Sequence, residues 1–162
     1  MHIRKIQAAD NLAVGNLVQN VLMEMGAPKI GTAYSDPFLF NLFEEYSKPN
    51  TVYFVIEKNG KIFGSGGIGA IEVGSLEVCE LQKMYFLPEV RGLGLGKKMI
   101  DICLDEAKKF GYKNCYLETM TYMTAAQKLY KSVGFQYLDA SLGNTGHSSC
   151  PVWMLCSLTK NS

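Results

Sequence analysis

The chain lacks any apolar run near the ~18–20 residues that a membrane-spanning helix requires, and its first residues, MHIRKIQAADN, have no apolar middle of the kind a signal peptide carries. It also has little net charge. Sixteen Lys and Arg against fifteen Asp and Glu leave +1 over 162 residues, so nothing global steers it toward nucleic acid or an anionic membrane. The five cysteines (79, 103, 115, 150 and 156) are odd in number and form no CxxC pair. That pattern fits reduced thiols and a cytoplasmic setting rather than a disulfide framework or a zinc site. Only two histidines are present. His147 and Cys150 lie three apart with no further Cys/His cluster, so no metal is expected. Internal repeats, low-complexity tracts and linkers are absent as well. With 48% hydrophobic residues, the chain has enough apolar side chains for one core, and the expectation is a single domain over 1–162.

Within that domain the periodicity changes several times. Ile3 to Gln7 reads as a short strand. Asp10 can cap a helix that carries Val14, Leu17, Val18, Val21, Leu22 and Met25 at helical spacing and stops at Gly26. Residues 27–35 read as a loop, and Asp36-Pro37 as the start of a second helix with Phe38, Leu39, Leu42, Phe43 and Tyr46 on one face. Thr51–Glu57 and Lys61–Ile71 read as strands joined by a hairpin at Asn59-Gly60, and Leu76–Leu87 as a long strand ending at Pro88. Met99, Ile100, Cys103, Leu104 and Ala107 make the stripe of an amphipathic helix closed by Gly111. A strand at Cys115–Thr119 follows, then a short helix to Val133 opened by a Thr124/Gln127 capping box. Phe135–Asp139 and Val152–Leu158 are expected to be antiparallel neighbours. The order β-α-α-β-β-β-α-β-α-β-β describes an α+β domain on a mixed sheet.

The chemistry concentrates in LPEVRGLGLGK, Leu87 to Lys97, where three glycines sit between a strand and a helix. Free amides and the helix dipole converge at such a junction and favour an anion, although a plain tight turn would use glycines too. Two nucleotide motifs fail on spacing. A Walker loop would need glycine at 91, which is Arg, and Ser or Thr at 98, which is Lys. A dinucleotide fingerprint would need its third glycine at 97 or 99, which are Lys and Met.

What fits is R-x-x-G-x-G at Arg91, Gly94 and Gly96, which resembles the pyrophosphate loop of the GNAT superfamily of acetyl-CoA-dependent N-acetyltransferases. MYFLPEVRGLGLGKKMI (Met84–Ile100) is similar to that family's fourth strand, loop and third helix. YLETMTYMTAAQKLYKSVGF (Tyr116–Phe135) is similar to the strand and helix that follow, with Tyr130 directly before K-x-x-G-F. The likeness spans about Glu80 to Phe135, a third of the chain. It implies a mostly antiparallel mixed sheet flanked by helices, with its fourth and fifth strands splayed. Acetyl-CoA is then the co-substrate, without a metal. Its pyrophosphate would lie on Arg91, Gly92, Leu93, Gly94, Leu95, Gly96 and Lys97, and its pantetheine along the backbone of Tyr85 and Phe86.

The resemblance further implies that Tyr130 serves the leaving thiolate and that a strand glutamate is the base. Glu118, twelve residues before Tyr130, and Glu80, six before Phe86, both stand at family spacing, and Glu118 is preferred of the two, although either could be a solvated strand residue. A buried carboxylate in either strand would have a raised pKa suited to base work. Many relatives carry Asn seven residues before the tyrosine, and here that position is Met123, so its contact is not transferred. The implied reaction moves acetyl to a primary amine by direct attack in a ternary complex. A non-catalytic acyl-CoA sensor is the alternative. The acceptor, a small-molecule or peptide amine, would meet the polar segment around His147 on one side and Tyr34 with the loop before Asp36 on the other. Nucleic acid and membrane are not expected partners, and a homodimer is left open.

Overall fold

The computed structural model describes residues 1–159; the last three of the expected 1–162 domain lie outside them. Four strands open the sheet: β1 (His2–Lys5), β2 (Val52–Lys58), β3 (Lys61–Ala70) and β4 (Val78–Phe86). They pair antiparallel in sequence order. β5 (Asn114–Thr119) then lies parallel to β4, and β7 (Val152–Ser157) separates it from β6 (Gln136–Leu138), giving the order β1-β2-β3-β4-β5-β7-β6. The expected element order, the mixed and mostly antiparallel sheet, and the antiparallel pair at its end are all present.

Helices cover both faces. α1 (Asn11–Glu24) and the single turn α2 (Leu42–Glu45), with Leu39 of the turn before it, bury Val14, Val18, Leu22, Leu39 and Leu42 against Tyr53 and Val55 of β2. On the opposite face α3 (Leu95–Phe110) packs its stripe of Met99, Ile100, Cys103, Leu104 and Ala107 onto Phe54, Ile56, Ile68 and Cys115. The alternation of β2, with Phe54 and Ile56 to one side and Tyr53 and Val55 to the other, lets one strand serve both cores. α4 (Thr124–Ser132) closes the α3 face with Tyr130, whose ring meets Phe135 edge-on at 5.9 Å.

The feature that positions the site is a break in β4. Ser65 pairs with Tyr85 but Gly67 pairs with Gln82, so β4 carries an extra residue opposite β3. Lys83 sits there with φ +49°, an uncommon value for a non-glycine, and the Tyr53 hydroxyl donates to its carbonyl at 2.7 Å. β4 pairs with β5 only over Val78–Glu80, opposite Asn114–Tyr116. Beyond Glu80 the two strands part, as the splay requires.

Local capping departs from the sequence-based reading at three places. Asp10 does not cap α1 with its side chain; it accepts from the Gln7 amide at 2.7 Å and from Arg4 at 2.8 and 3.0 Å, because an ion pair satisfies it better. Asp36 likewise opens no long helix. Residues 37–40 make turns, only Leu42–Glu45 is helical, and Phe38 is left 54% exposed, because the Asp36 carboxylate is held elsewhere. The Thr124/Gln127 capping box does not form. Thr124 is already helical, and Gln127 Nε2 donates to the carbonyls of Met120 and Thr121 at 2.8 and 3.2 Å.

Candidate functional site

The gap between β4 and β5 opens into a cavity of about 490 Å³, which the glycine loop bounds at one end and His147 and Cys150 at the other. At the loop end, Gly92 to Lys97 donate their N–H groups to no acceptor among the described residues. Those amides face a helix that starts at Leu95, and Gly94 holds φ +77° with no atom within 4 Å of where a Cβ would stand. This cradle suits a compact dianion such as a pyrophosphate. Arg91 lines the cavity, while two of its groups are engaged within the protein. The Arg91 amide is already used, donating to Pro88 O at 3.2 Å. The Arg91 guanidinium turns to Glu24 of α1, at 2.8 and 3.0 Å, and its Nε donates to the Phe86 carbonyl at 3.0 Å. Arg91 therefore ties α1, the end of β4 and the loop together. Leu93 is 61% exposed and lies outside the lining, Leu95 packs on the core, and Lys97 Nζ pairs with Asp101 at 2.7 Å.

The middle of the cavity is lined by Tyr85 and Phe86, whose strand edge toward β5 has no partner strand. Tyr130 enters from α4. Its ring is buried and its hydroxyl has no hydrogen-bond partner among the described residues, while burial pushes its pKa up to about 12. A neutral O–H donor therefore stands in the cleft at all physiological pH.

The two candidate glutamates differ sharply. Glu80, at the last rung before β4 leaves β5, is 3% exposed. Gln82 Nε2 donates to its Oε1 at 2.7 Å, and Tyr46 donates its hydroxyl to Gln82 Oε1 in turn. Glu80 Oε2 is buried without a partner. Burial pushes this carboxyl up to about 7, against the opposing pull of the Gln82 hydrogen bond. Glu118 is only half-buried. Its Oε1 accepts from the Tyr116 hydroxyl and from Thr145 Oγ1, both at 2.8 Å, and Tyr116 Oη accepts from the Leu142 amide at 3.2 Å. Glu118 thus holds down the segment between β6 and β7.

That segment forms the far wall. His147 lines the cavity, and its Nε2 lies 3.2 Å from both Asp36 oxygens, while Lys83 Nζ reaches Asp36 at 2.7 Å. Burial alone would lower His147, but the Asp36 hydrogen bond and charge outweigh it and hold the imidazole above its ordinary value. Asp36 is likewise held below the usual carboxylate range, the His147 hydrogen bond and the Lys83 charge overcoming its burial. Tyr34, expected on this wall, does not line the cavity. Its hydroxyl points to Met23 Sδ at 3.9 Å and its ring lies under Lys29 Nζ at 5.3 Å, while Thr32 and Ala33 take the lining position. Sequence reasoning missed Tyr46, Gln82, Lys83 and Asp36. The i, i+2 spacing of Glu80 and Gln82 was a usable signal; the rest depend on partners far along the chain.

The profile of the acetyltransferase (GNAT) family matches residues 20–135. The uncharacterized N-acetyltransferase YjgM of Escherichia coli is 41% identical over 158 residues, covering 96% of this chain and 94% of that protein. Among solved structures, a GNAT-family acetyltransferase of Staphylococcus aureus Mu50 superposes with a TM-score of 0.82 at 18% identity, covering 98% of this chain and 99% of that one. The Salmonella typhimurium yncA protein, solved with its cofactor acetyl-CoA, does so with 0.79 at 20% identity, over 100% and 96%. Splayed central strands, an amide-lined loop at the mouth of α3 and close sequence kinship agree, and the chain belongs to the GNAT family of acetyltransferases.

Proposed function

We propose that this acetyltransferase moves the acetyl group of acetyl-CoA directly to a primary amine, both substrates being bound together, and that Glu80 is the base. The observation that carries the choice is the unpartnered, buried Oε2 of Glu80 at the point where the strands part. Acetyl-CoA, when bound, supplies the acetyl group as an activated thioester. The Gly92–Lys97 amides would hold its pyrophosphate, and the open edge at Tyr85 and Phe86 its amide-bearing arm.

An amine arrives protonated and must lose that proton before it can attack. A carboxylate with a pKa near 7 takes it at little cost and can release it again, which an ordinary exposed glutamate does less well. Glu118 is less suited, since it is only half-buried and two hydroxyls donate to its Oε1. Tyr130 would donate its hydroxyl proton to the departing sulfur and recover one from the attacked nitrogen, which must shed a second proton to become an amide, while the proton that Glu80 took up passes to solvent. The acceptor would approach along the wall formed by His147, Thr32 and Ala33.

Initial rates measured over both substrate concentrations test the direct route. Intersecting double-reciprocal lines are expected, and parallel lines would show an acetyl-enzyme instead.

A further inference from the structure

A smaller cavity of about 210 Å³ branches from the acceptor end, and Glu118, His147 and Cys150 line both spaces. We infer that this side cavity receives the far end of the acceptor and that the group it takes is a second ammonium, so that the acceptor is an aliphatic diamine or a molecule containing one. The inference rests on the acetyl-transfer reading above.

The charge pattern points this way. Glu118 is the one carboxylate in the side cavity's lining. Its Oε1 is turned toward Tyr116 and Thr145, which leaves Oε2 with no partner among the described residues. Trp153 faces Glu118 directly across the β5–β7 pair and lines the same space, so an ammonium there would meet a carboxylate and an indole face together. Ser141, Ser148 and Asn144 line the rest of the space, Asn144 Oδ1 accepting from the Gly146 amide at 3.3 Å, so the lining is polar rather than suited to an alkyl tail. The neighbouring cations, Lys83 and His147, share the Asp36 carboxylate between them, and Glu80 also acts on the imidazole.

The spacing suits a molecule with two nitrogens. Glu80 pairs with Tyr116, and Glu118 lies two residues further along β5. With ~4.8 Å between strands and ~3.3 Å per residue, the two α-carbons are roughly 8 Å apart. One ammonium at Glu80 and another at Glu118 would thus be bridged by about four to six carbons.

Calorimetry on the full chain saturated with CoA tests this, with cadaverine and pentylamine as probes of equal carbon count. Cadaverine is expected to bind at least tenfold more tightly than pentylamine, and Glu118→Gln, which keeps an oxygen for Tyr116 and Thr145, should reduce that ratio to near one. Trp153→Leu should reduce it severalfold in the same direction. Cadaverine binding no better than pentylamine, including no binding at all, overturns the subsite, as does a ratio that survives Glu118→Gln. Failure of the acetyl-transfer reading would look different: cadaverine would bind with the expected preference, but acetyl-CoA would give no acetylated product.

Discussion

Burying Glu80 with one oxygen unpaired works against folding, and that cost makes it a measurable marker of function. Its carboxyl is raised from 4.5 to about 7, so the folded state favours the protonated form. The protein is therefore stabilised at this site below pH ~4.5 and loses that contribution as the pH climbs through about 7. Glu80→Gln removes the ionisation and should raise stability by ~1–3 kcal/mol at mildly alkaline pH, the gain fading toward acid, as thermal unfolding across pH would show. The same variant should lower kcat/KM by ~10²-fold and abolish its rise through neutral pH. A Glu118→Gln profile should keep that rise. Tyr130 gives a complementary prediction on the leaving group. Tyr130→Phe keeps the ring against Phe135 and removes only the O–H, so folding and CoA affinity should change little while kcat falls by ~10²-fold. A wild-type rate in that variant would leave Tyr130 as a core aromatic, with solvent protonating the thiolate.

At the scale of elements, two irregularities do the positioning. The bulge at Lys83 adds a residue to β4 opposite β3 and turns the strand from β5, and the Tyr53 hydroxyl fixes it by binding the Lys83 carbonyl. The glycine loop then presents six consecutive amides, Gly92 to Lys97, at the start of α3. Gly94 is the sensitive position, because its φ of +77° disfavours any branched side chain and its missing Cβ faces open space. Gly94→Val should weaken CoA binding by tenfold or more, about 1.4 kcal/mol, as read by calorimetry. Equal affinities would remove the loop from the binding site. Most elements were legible in the sequence, since the stripe of α3 and the alternation of β2 are local periodicities. The helix expected from Asp36 was not, because a local capping signal lost to an ion pair with residues 47 and 111 positions away.

Taken whole, the molecule closes the far end of its cavity by joining two loops that lie far apart in the chain. The Ser149 amide and hydroxyl donate to the carbonyls of Gly31 and Ile30 at 3.0 and 2.9 Å, and His147 meets Asp36 at 3.2 Å. Because His147 is held above its ordinary 6.5, its bond to Asp36 stabilises fully below that pH and is lost as the pH climbs through the folded value. Asp36, held below 3.8, loses its part only in stronger acid. His147→Ala should therefore cost about 1–2 kcal/mol at mildly acidic pH and less above neutrality. Amide exchange at Ser149 and Cys150 should speed up over the same range. An equal loss at all pH values would assign the contact to packing.

The sequence alone determined what depends on neighbours a few residues away: the strand and helix periods, the glycine junction and the Tyr130 position before K-x-x-G-F. It also placed both glutamates as candidates, with Glu118 ahead of Glu80. The tertiary structure gives them different surroundings: Glu80 is buried beside Gln82, which Tyr46 holds, whereas Glu118 accepts from Tyr116 and from the loop before β7. Arg91 is a similar case. Its motif position implies an anion contact, and folding adds a pairing with Glu24 at 2.8 Å that no local pattern announces, because Glu24 lies 67 residues away.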